Sequence, residues 1–204
     1  MNPHLRSGPS LAKRRIGLLG GSFNPAHGGH RDISLYALKQ LKLDQIWWLV
    51  SPQNPLKPSR DMAPLKTRLH KADAVARHPK IVATDLETSL GTRYTIDTLR
   101  ALRRRFPRTS FVWLMGADNL KQIPKWRKGL EIFEVVPVAV LRRPTYASGY
   151  RSGKAAQRFA HAWLPSRRGK SLARLQPPAW MVLNNKYNWL SAPDIRRGLR
   201  WRED

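Results

Sequence analysis

Two histidines with two glycines between them, His27-Gly28-Gly29-His30, follow closely on the turn-rich run Gly20-Gly21-Ser22-Phe23-Asn24-Pro25. Imidazoles three residues apart at a helix entrance can face one ligand together. Glycines let a ligand come against bare backbone. A helix start adds unpaired N–H groups and the positive end of its dipole, which suits an anion, above all a phosphate. Two plainer readings stand beside this one. The pair could be half of a zinc site, although the chain has no cysteine and two glycines make the entrance less rigid than metal sites use. The glycines could also make only a tight turn, with both histidines as surface polar residues.

The neighbouring elements follow from periodicity. Ile16 to Leu19 has the length of a buried strand, and Arg31 to Leu43 has apolar residues at helical spacing. Gln45 to Val50 is a second strand, leading into a proline-stiffened loop, Ser51 to Pro58, that carries Lys57. An amphipathic helix over Pro64–Arg77 and a strand at Ile81–Thr84 come next. A threonine-rich helix entry around Thr95 then leads into a basic helix, Leu99–Arg105. Ser110 to Met115 is apolar enough for a central parallel strand, with Gly116-Ala117-Asp118 at its carboxyl end, where open sheets bind ligands. Asp118 suits a ribose hydroxyl, or equally the N-cap of a following helix. A helix opening at Ile123-Pro124-Lys125-Trp126 and running through Phe133 precedes strands at Val135–Leu141 and Ala179–Leu183. A last helix opens around Ser191, a good N-cap, with Pro193 and Asp194 in its first turn. Alternating strands and helices predict one α/β domain with a mostly parallel sheet flanked by helices, its cleft at the carboxyl ends of the first, second and fourth strands.

Composition sets outer bounds. A chain of 204 residues with 41% hydrophobic residues and no apolar run near 18 residues has room for one core and no membrane span. The lack of cysteine removes disulfides and sulfur-ligated metal, and fits a cytoplasmic location. Residues 1–14 read as a basic flexible leader, and 15–204 as the domain. The formal charge is +25, and no acidic residue stands between Glu134 and Asp194. Such a field draws polyanions of any kind, nucleic acid included, in a non-specific manner. The segment 145–178, with a basic helix over Lys154–Trp163, carries no motif and reads as a mobile arm or a solvated basic surface.

Taken together, Gly20 to His30 resembles the signature of the nucleotidyltransferase superfamily with a His-x-x-His motif after its first strand. The flanking residues are similar to bacterial nicotinate-nucleotide adenylyltransferases, with Asn24 where the usual pattern has Asp. The resemblance covers about 1–144 and 179–200. It implies a Rossmann-like nucleotidyltransferase fold and transfer of AMP from ATP to nicotinate mononucleotide, with Mg²⁺ carried mainly by ATP. Carried over residue by residue, it implies His27 and His30 as catalytic groups. ATP would meet Gly20, Ser22, Phe23, both histidines, Gly116, Asp118, Ser191, Ile195 and Arg196. Nicotinate mononucleotide would meet Gly21, Ser22, Lys57, Thr95, Trp126 and Arg127, with Trp126 against the ring. A helix beginning near Lys125 would offer the N–H groups of Trp126 and Arg127 to the nicotinate carboxylate. Arg93, Ala192 and Pro193 also depart from the family's pattern. Another adenylyl- or cytidylyltransferase, such as phosphopantetheine adenylyltransferase, and a basic nucleic-acid-binding module are the alternative readings; oligomeric state is not legible.

Overall fold

The computed structural model describes residues 13–52, 62–142 and 153–184. Seven strands form a sheet in the order β3-β2-β1-β4-β5-β7-β6, and every pairing between them is parallel. The strands are β1 (Arg15–Gly21), β2 (Gln45–Val50), β3 (Ile81–Thr84), β4 (Ser110–Gly116), β5 (Val138–Arg142), β6 (Trp163–Leu164) and β7 (Trp180–Asn184). The helices are α1 (Gly28–Gln40), α2 (Leu65–Ala76), α3 (Leu86–Ser89), α4 (Thr95–Arg105), α5 (Ala117–Gln122), α6 (Ile132–Val135) and α7 (Lys154–Arg158).

Alternation along the strands sends successive side chains to opposite faces. Ile16 and Leu18 join a core with Ile96, Leu99, Leu120, Phe133 and Phe159. Leu19 joins the other core, with Ile33, Ala37, Ala72, Ala76 and Leu172. Trp47 and Trp48, both fully buried, divide the same way. The Trp47 ring meets Phe106 and Phe111 edge-on, whereas Trp48 stacks on Phe23. Each indole removes on the order of 200 Å² from water, about 5 kcal/mol before entropy is counted. Both faces are covered, which is why the central strands read as continuous apolar runs.

The order of strands reverses between β1 and β4, which run side by side with Leu19 opposite Leu114. Gly21 and Gly116 therefore end adjacent strands at the switch point, the usual ligand crevice of such sheets.

Several boundaries differ from the sequence reading. The helix expected over Ile123–Phe133 is instead two 3₁₀ turns (Ile123–Lys125 and Gly129–Glu131) and the start of α6, after α5 has ended at Gln122. Pro124 sits in the first of those turns, where its missing N–H is harmless. Gly129 holds this fold together, because a Cβ there would lie 1.9 Å from the Ile123 carbonyl oxygen. Val135 closes α6, and β5 starts only at Val138. Between residues 153 and 178 the chain is packed down on the sheet: Ala155 and Phe159 are buried on one side, Leu172 and Ala173 on the other. The helix expected over Lys154–Trp163 stops at Arg158, and Trp163 begins the short edge strand β6. Charge concealed this packing, since the buried apolar residues are few and lie among cations.

Candidate active site

At the end of β1 the chain turns through Ser22–Ala26 into α1. The Cβ position of Gly20 is taken up by the Trp113 ring, 2.4 Å from an added carbon, and that of Gly21 by the Phe23 ring at 3.3 Å. Gly20 thus makes room for an indole, where its sequence suggested only ligand approach. Phe23 is buried and adopts φ 45°, the left-handed region that ordinary side chains rarely enter. Its ring lies 4.8 Å from that of His30 and 5.2 Å from Trp48.

His27 is the N-cap of α1, with extended backbone, and its carbonyl accepts the His30 N–H at 2.9 Å. In return the His27 backbone N–H donates to His30 Nδ1 at 3.2 Å. The two rings lie 3.8 Å apart. Below them, Ser34 donates to the His30 carbonyl at 2.7 Å and receives the Trp48 indole N–H at 2.8 Å. Two imidazoles therefore stand together at a helix N-terminus beside the switch point of the sheet, on an aromatic floor. Among the described residues no three of His, Cys, Asp or Glu gather as a metal cage.

The turn is fixed from beneath by Arg68, a residue that sequence reasoning missed. Arg68 is 2% exposed. Its Nη1 donates to the carbonyls of Ser22 at 2.7 Å and Ser51 at 2.8 Å, its Nη2 to Pro52 at 2.9 Å and its Nε to Ala63 at 2.8 Å. One guanidinium thereby joins the glycine turn, the end of β2 and the entry to α2. Burial pulls its pKa below the ordinary arginine value, and carbonyl dipoles stabilise the charge. The legible sign was position: Arg68, Ala72 and Ala76 recur every fourth residue on the buried face of α2. Asn24, which stands where the family pattern has Asp, accepts the Ala63 N–H at 3.3 Å and so ties the same two segments.

A second cluster gathers at the start of α4. Its N-cap is Tyr94, not a threonine, and Thr95 is the first helical residue. Arg127 lies over the Tyr94 ring, 4.6 Å from its centre, and 3.8 Å from the Asp97 carboxylate. Thr95, Trp126 and Arg127 are thus brought into one neighbourhood from two separate segments. The Trp126 backbone N–H is already committed to the Ile123 carbonyl at 3.0 Å, so the donor expected from a helix start at Lys125 is not there. The Trp126 indole N–H, by contrast, is buried without a hydrogen-bond partner among the described residues. Behind α4, Thr98 Oγ1 lies 3.2 Å from the carboxyl of Glu87 and 2.9 Å from Thr92 Oγ1. Burial drives the Glu87 pKa from 4.5 up to about 7, so this carboxyl holds its proton into the neutral range.

Gly116 ends β4 and is the N-cap of α5, which leaves Asp118 in the first turn and excludes it as the cap. Lys57, Ser191, Ile195 and Arg196 lie outside the described residues.

This sheet order, with paired histidines at the first helix after β1, defines a nucleotidyltransferase of the Rossmann-like kind. The family model described as cytidylyltransferase-like matches residues 18–198. The chain is 51% identical over 92% of its length to a curated relative from Cereibacter sphaeroides named "Probable nicotinate-nucleotide adenylyltransferase", covering 99% of it. A relative of the same name from Gluconobacter oxydans is 47% identical over 93% of this chain and 97% of its own. The chain belongs to the nicotinate-nucleotide adenylyltransferase family. Its fold matches that of Plasmodium falciparum nicotinic acid mononucleotide adenylyltransferase complexed with NaAD, with a TM-score of 0.67 at 17% identity over 90% of this chain and 83% of that one.

Proposed function

We propose that this protein transfers AMP from ATP to nicotinate mononucleotide, giving nicotinate adenine dinucleotide and pyrophosphate. The carrying observation is the identity near one half to nicotinate-nucleotide adenylyltransferases over nearly the whole chain. The alternative of phosphopantetheine or cytidylyl transfer has no such support, and a basic nucleic-acid module does not explain paired histidines at the switch point.

In this reading a phosphate oxygen of the mononucleotide attacks the α-phosphorus of ATP. One O–P bond forms, the bond to the bridging oxygen breaks, and pyrophosphate leaves. The attacking oxygen is already ionised, so the chain supplies no nucleophile. Alignment and charge neutralisation supply the acceleration, and alignment alone can contribute roughly 7–11 kcal/mol. His27 and His30 bind the phosphates being exchanged, helped by the N-terminus of α1 and the backbone around Gly20, Gly21 and Ser22. Phe23 braces the His30 ring. Gly116 and Asp118 receive the nucleoside portion of ATP, and Ser191, Ile195 and Arg196 its phosphates, while Lys57 meets the mononucleotide phosphate. Thr95, Trp126 and Arg127 hold the nicotinate. The indole N–H of Trp126, without a partner among the described residues, and the cation of Arg127 both suit a carboxylate, which only accepts.

Mg²⁺ would offset charge on the leaving pyrophosphate. Mg²⁺ prefers oxygen ligands and keeps several waters, so the ATP triphosphate with water would hold it. No described helix is long and apolar enough to cross a membrane, and the reading places the reaction in the cytoplasm.

Pyrophosphate release from ATP tests the proposal, with nicotinate mononucleotide, nicotinamide mononucleotide, phosphopantetheine or no acceptor. Turnover should require a pyridine mononucleotide and favour the acid. Release with phosphopantetheine alone would replace this reading with its neighbour.

A further inference from the structure

At the opposite end of the sheet, the chain entering β1 and the chain entering β4 are pinned together. Lys13 N–H donates to the Arg108 carbonyl at 2.7 Å, and Ser110 N–H to the Arg14 carbonyl at 2.8 Å. Asp44 N–H donates to the Arg15 carbonyl at 2.8 Å, and the Asp44 carboxylate takes Arg15 through its backbone N–H, Nε and Nη2 at 2.7–3.0 Å. These bonds frame a cavity of about 550 Å³ lined by Lys13, Arg14, Arg15, Asp44, Arg108, Ser110 and Arg174. Among the described residues the lining thus carries five cations and one carboxylate, which Arg15 holds. Arg174 arrives from a third segment, the 3₁₀ stretch Ser166–Arg174 that packs against the end of α1 at Gly169. The six steps from Arg15 to Gly21 along β1, at about 3.3 Å each, separate this cavity from the glycine turn by about 20 Å.

We propose that this cavity is a second anion site, distinct from the catalytic cleft, that takes a compact oligophosphate. The volume falls within the ordinary range for small-molecule sites. Guanidinium forks match phosphate oxygens two at a time, and most of the cations here are arginines. Among the described residues the lining has no aromatic side chain on which a base would stack. An open depression lined by cations, with no stacking ring among the described residues, favours phosphate density over nucleobase identity. Its sequence signal was the charge of Lys13 and Arg14, which read only as the end of a basic leader, beside Arg15 at the start of the domain; the fold adds Arg108 and Arg174.

The test is calorimetric titration of the full chain with inorganic tripolyphosphate at about 0.15 M salt, where surface charges are screened beyond about 8 Å. The catalytic cleft can also take tripolyphosphate, so His30→Ala is expected to affect only that event and to leave a second binding event in place. The second event is expected to weaken roughly tenfold in Arg108→Gln and in Arg174→Gln, the equivalent of one charge-assisted contact. Both arginines are exposed, and thermal melts check that the variants stay folded. Loss of all binding in His30→Ala with retention in the arginine variants would assign the anion to the catalytic cleft and overturn the proposal. So would the absence of a second event at this salt. Capture of duplex DNA that tripolyphosphate fails to displace would make the face a nucleic-acid surface instead.

Discussion

His30 Nδ1 accepts the backbone N–H of His27 at 3.2 Å. An acceptor nitrogen carries no proton, so the neutral ring must carry its proton on Nε2, which makes that nitrogen a donor. The helix entrance thus fixes the tautomer that can hydrogen-bond a phosphate. His30→Ala is expected to lower kcat by roughly tenfold or more, about 1.4 kcal/mol, with a smaller change in KM. His30→Asn keeps an acceptor for His27 but lacks the Nε2 donor, so it should keep the wild-type melting temperature and share the loss in kcat. Wild-type turnover in either variant would remove His30 from the reaction.

Arg68 has four carbonyls on one buried guanidinium. Arg68→Met would leave them unpaired, at about 1–3 kcal/mol for each that water fails to reach. Urea unfolding should show a loss of at least about 3 kcal/mol. Arg68→Lys keeps the charge, yet one ammonium cannot span carbonyls from three segments, so it should recover less than half of the loss. Full recovery by lysine would mean that charge, not the fork, matters.

The Glu87 carboxyl titrates near 7 in the folded chain against 4.5 ordinarily. Below 4.5 both folded and unfolded chains hold the proton, and the group has no effect on stability. As pH rises from 4.5 to about 7, only the unfolded chain releases it, so stability falls across that window and then levels off. The upper bound is about 3 kcal/mol. Glu87→Gln preserves an oxygen for Thr98 and cannot ionise. Its melting temperature should exceed that of wild type at pH 8 and converge with it at pH 4. Parallel pH profiles of the two proteins would refute the buried-acid account.

Nicotinate and nicotinamide mononucleotides differ in a carboxylate against an amide, whose NH₂ would face the Trp126 indole N–H and Arg127. A mismatched buried donor costs about 1–3 kcal/mol, so kcat/KM should favour the acid by roughly tenfold or more. Trp126→Ala should raise KM for nicotinate mononucleotide and leave that for ATP nearly unchanged. A variant impaired only toward ATP would show that the ring binds the other substrate.

Much of the fold was legible because the central strands are short apolar runs. Gln45–Val50 and Ile81–Thr84 have the bounds read from sequence. Misreadings cluster where local pattern and tertiary contact diverge. Ile123–Phe133 has helical composition, but Pro124 and the contact between Gly129 and the Ile123 carbonyl break it into turns. Residues 153–178 hide their buried positions among cations, so their packing could not be seen from charge or periodicity.

The sequence by itself pointed to His27 and His30 at one helix entrance, through three-residue spacing after a glycine turn and before a helical apolar pattern. It also determined the parallel α/β class, through strands apolar on both faces. Only the tertiary structure decided what stands behind those residues. Arg68 reaches Ser22, 46 residues away, Arg127 meets Tyr94 and Asp97, and burial beneath α4 pushes the Glu87 pKa up to about 7. Such pairings depend on which helices cover which face, and no local pattern of side chains encodes the distance between residues remote in the chain.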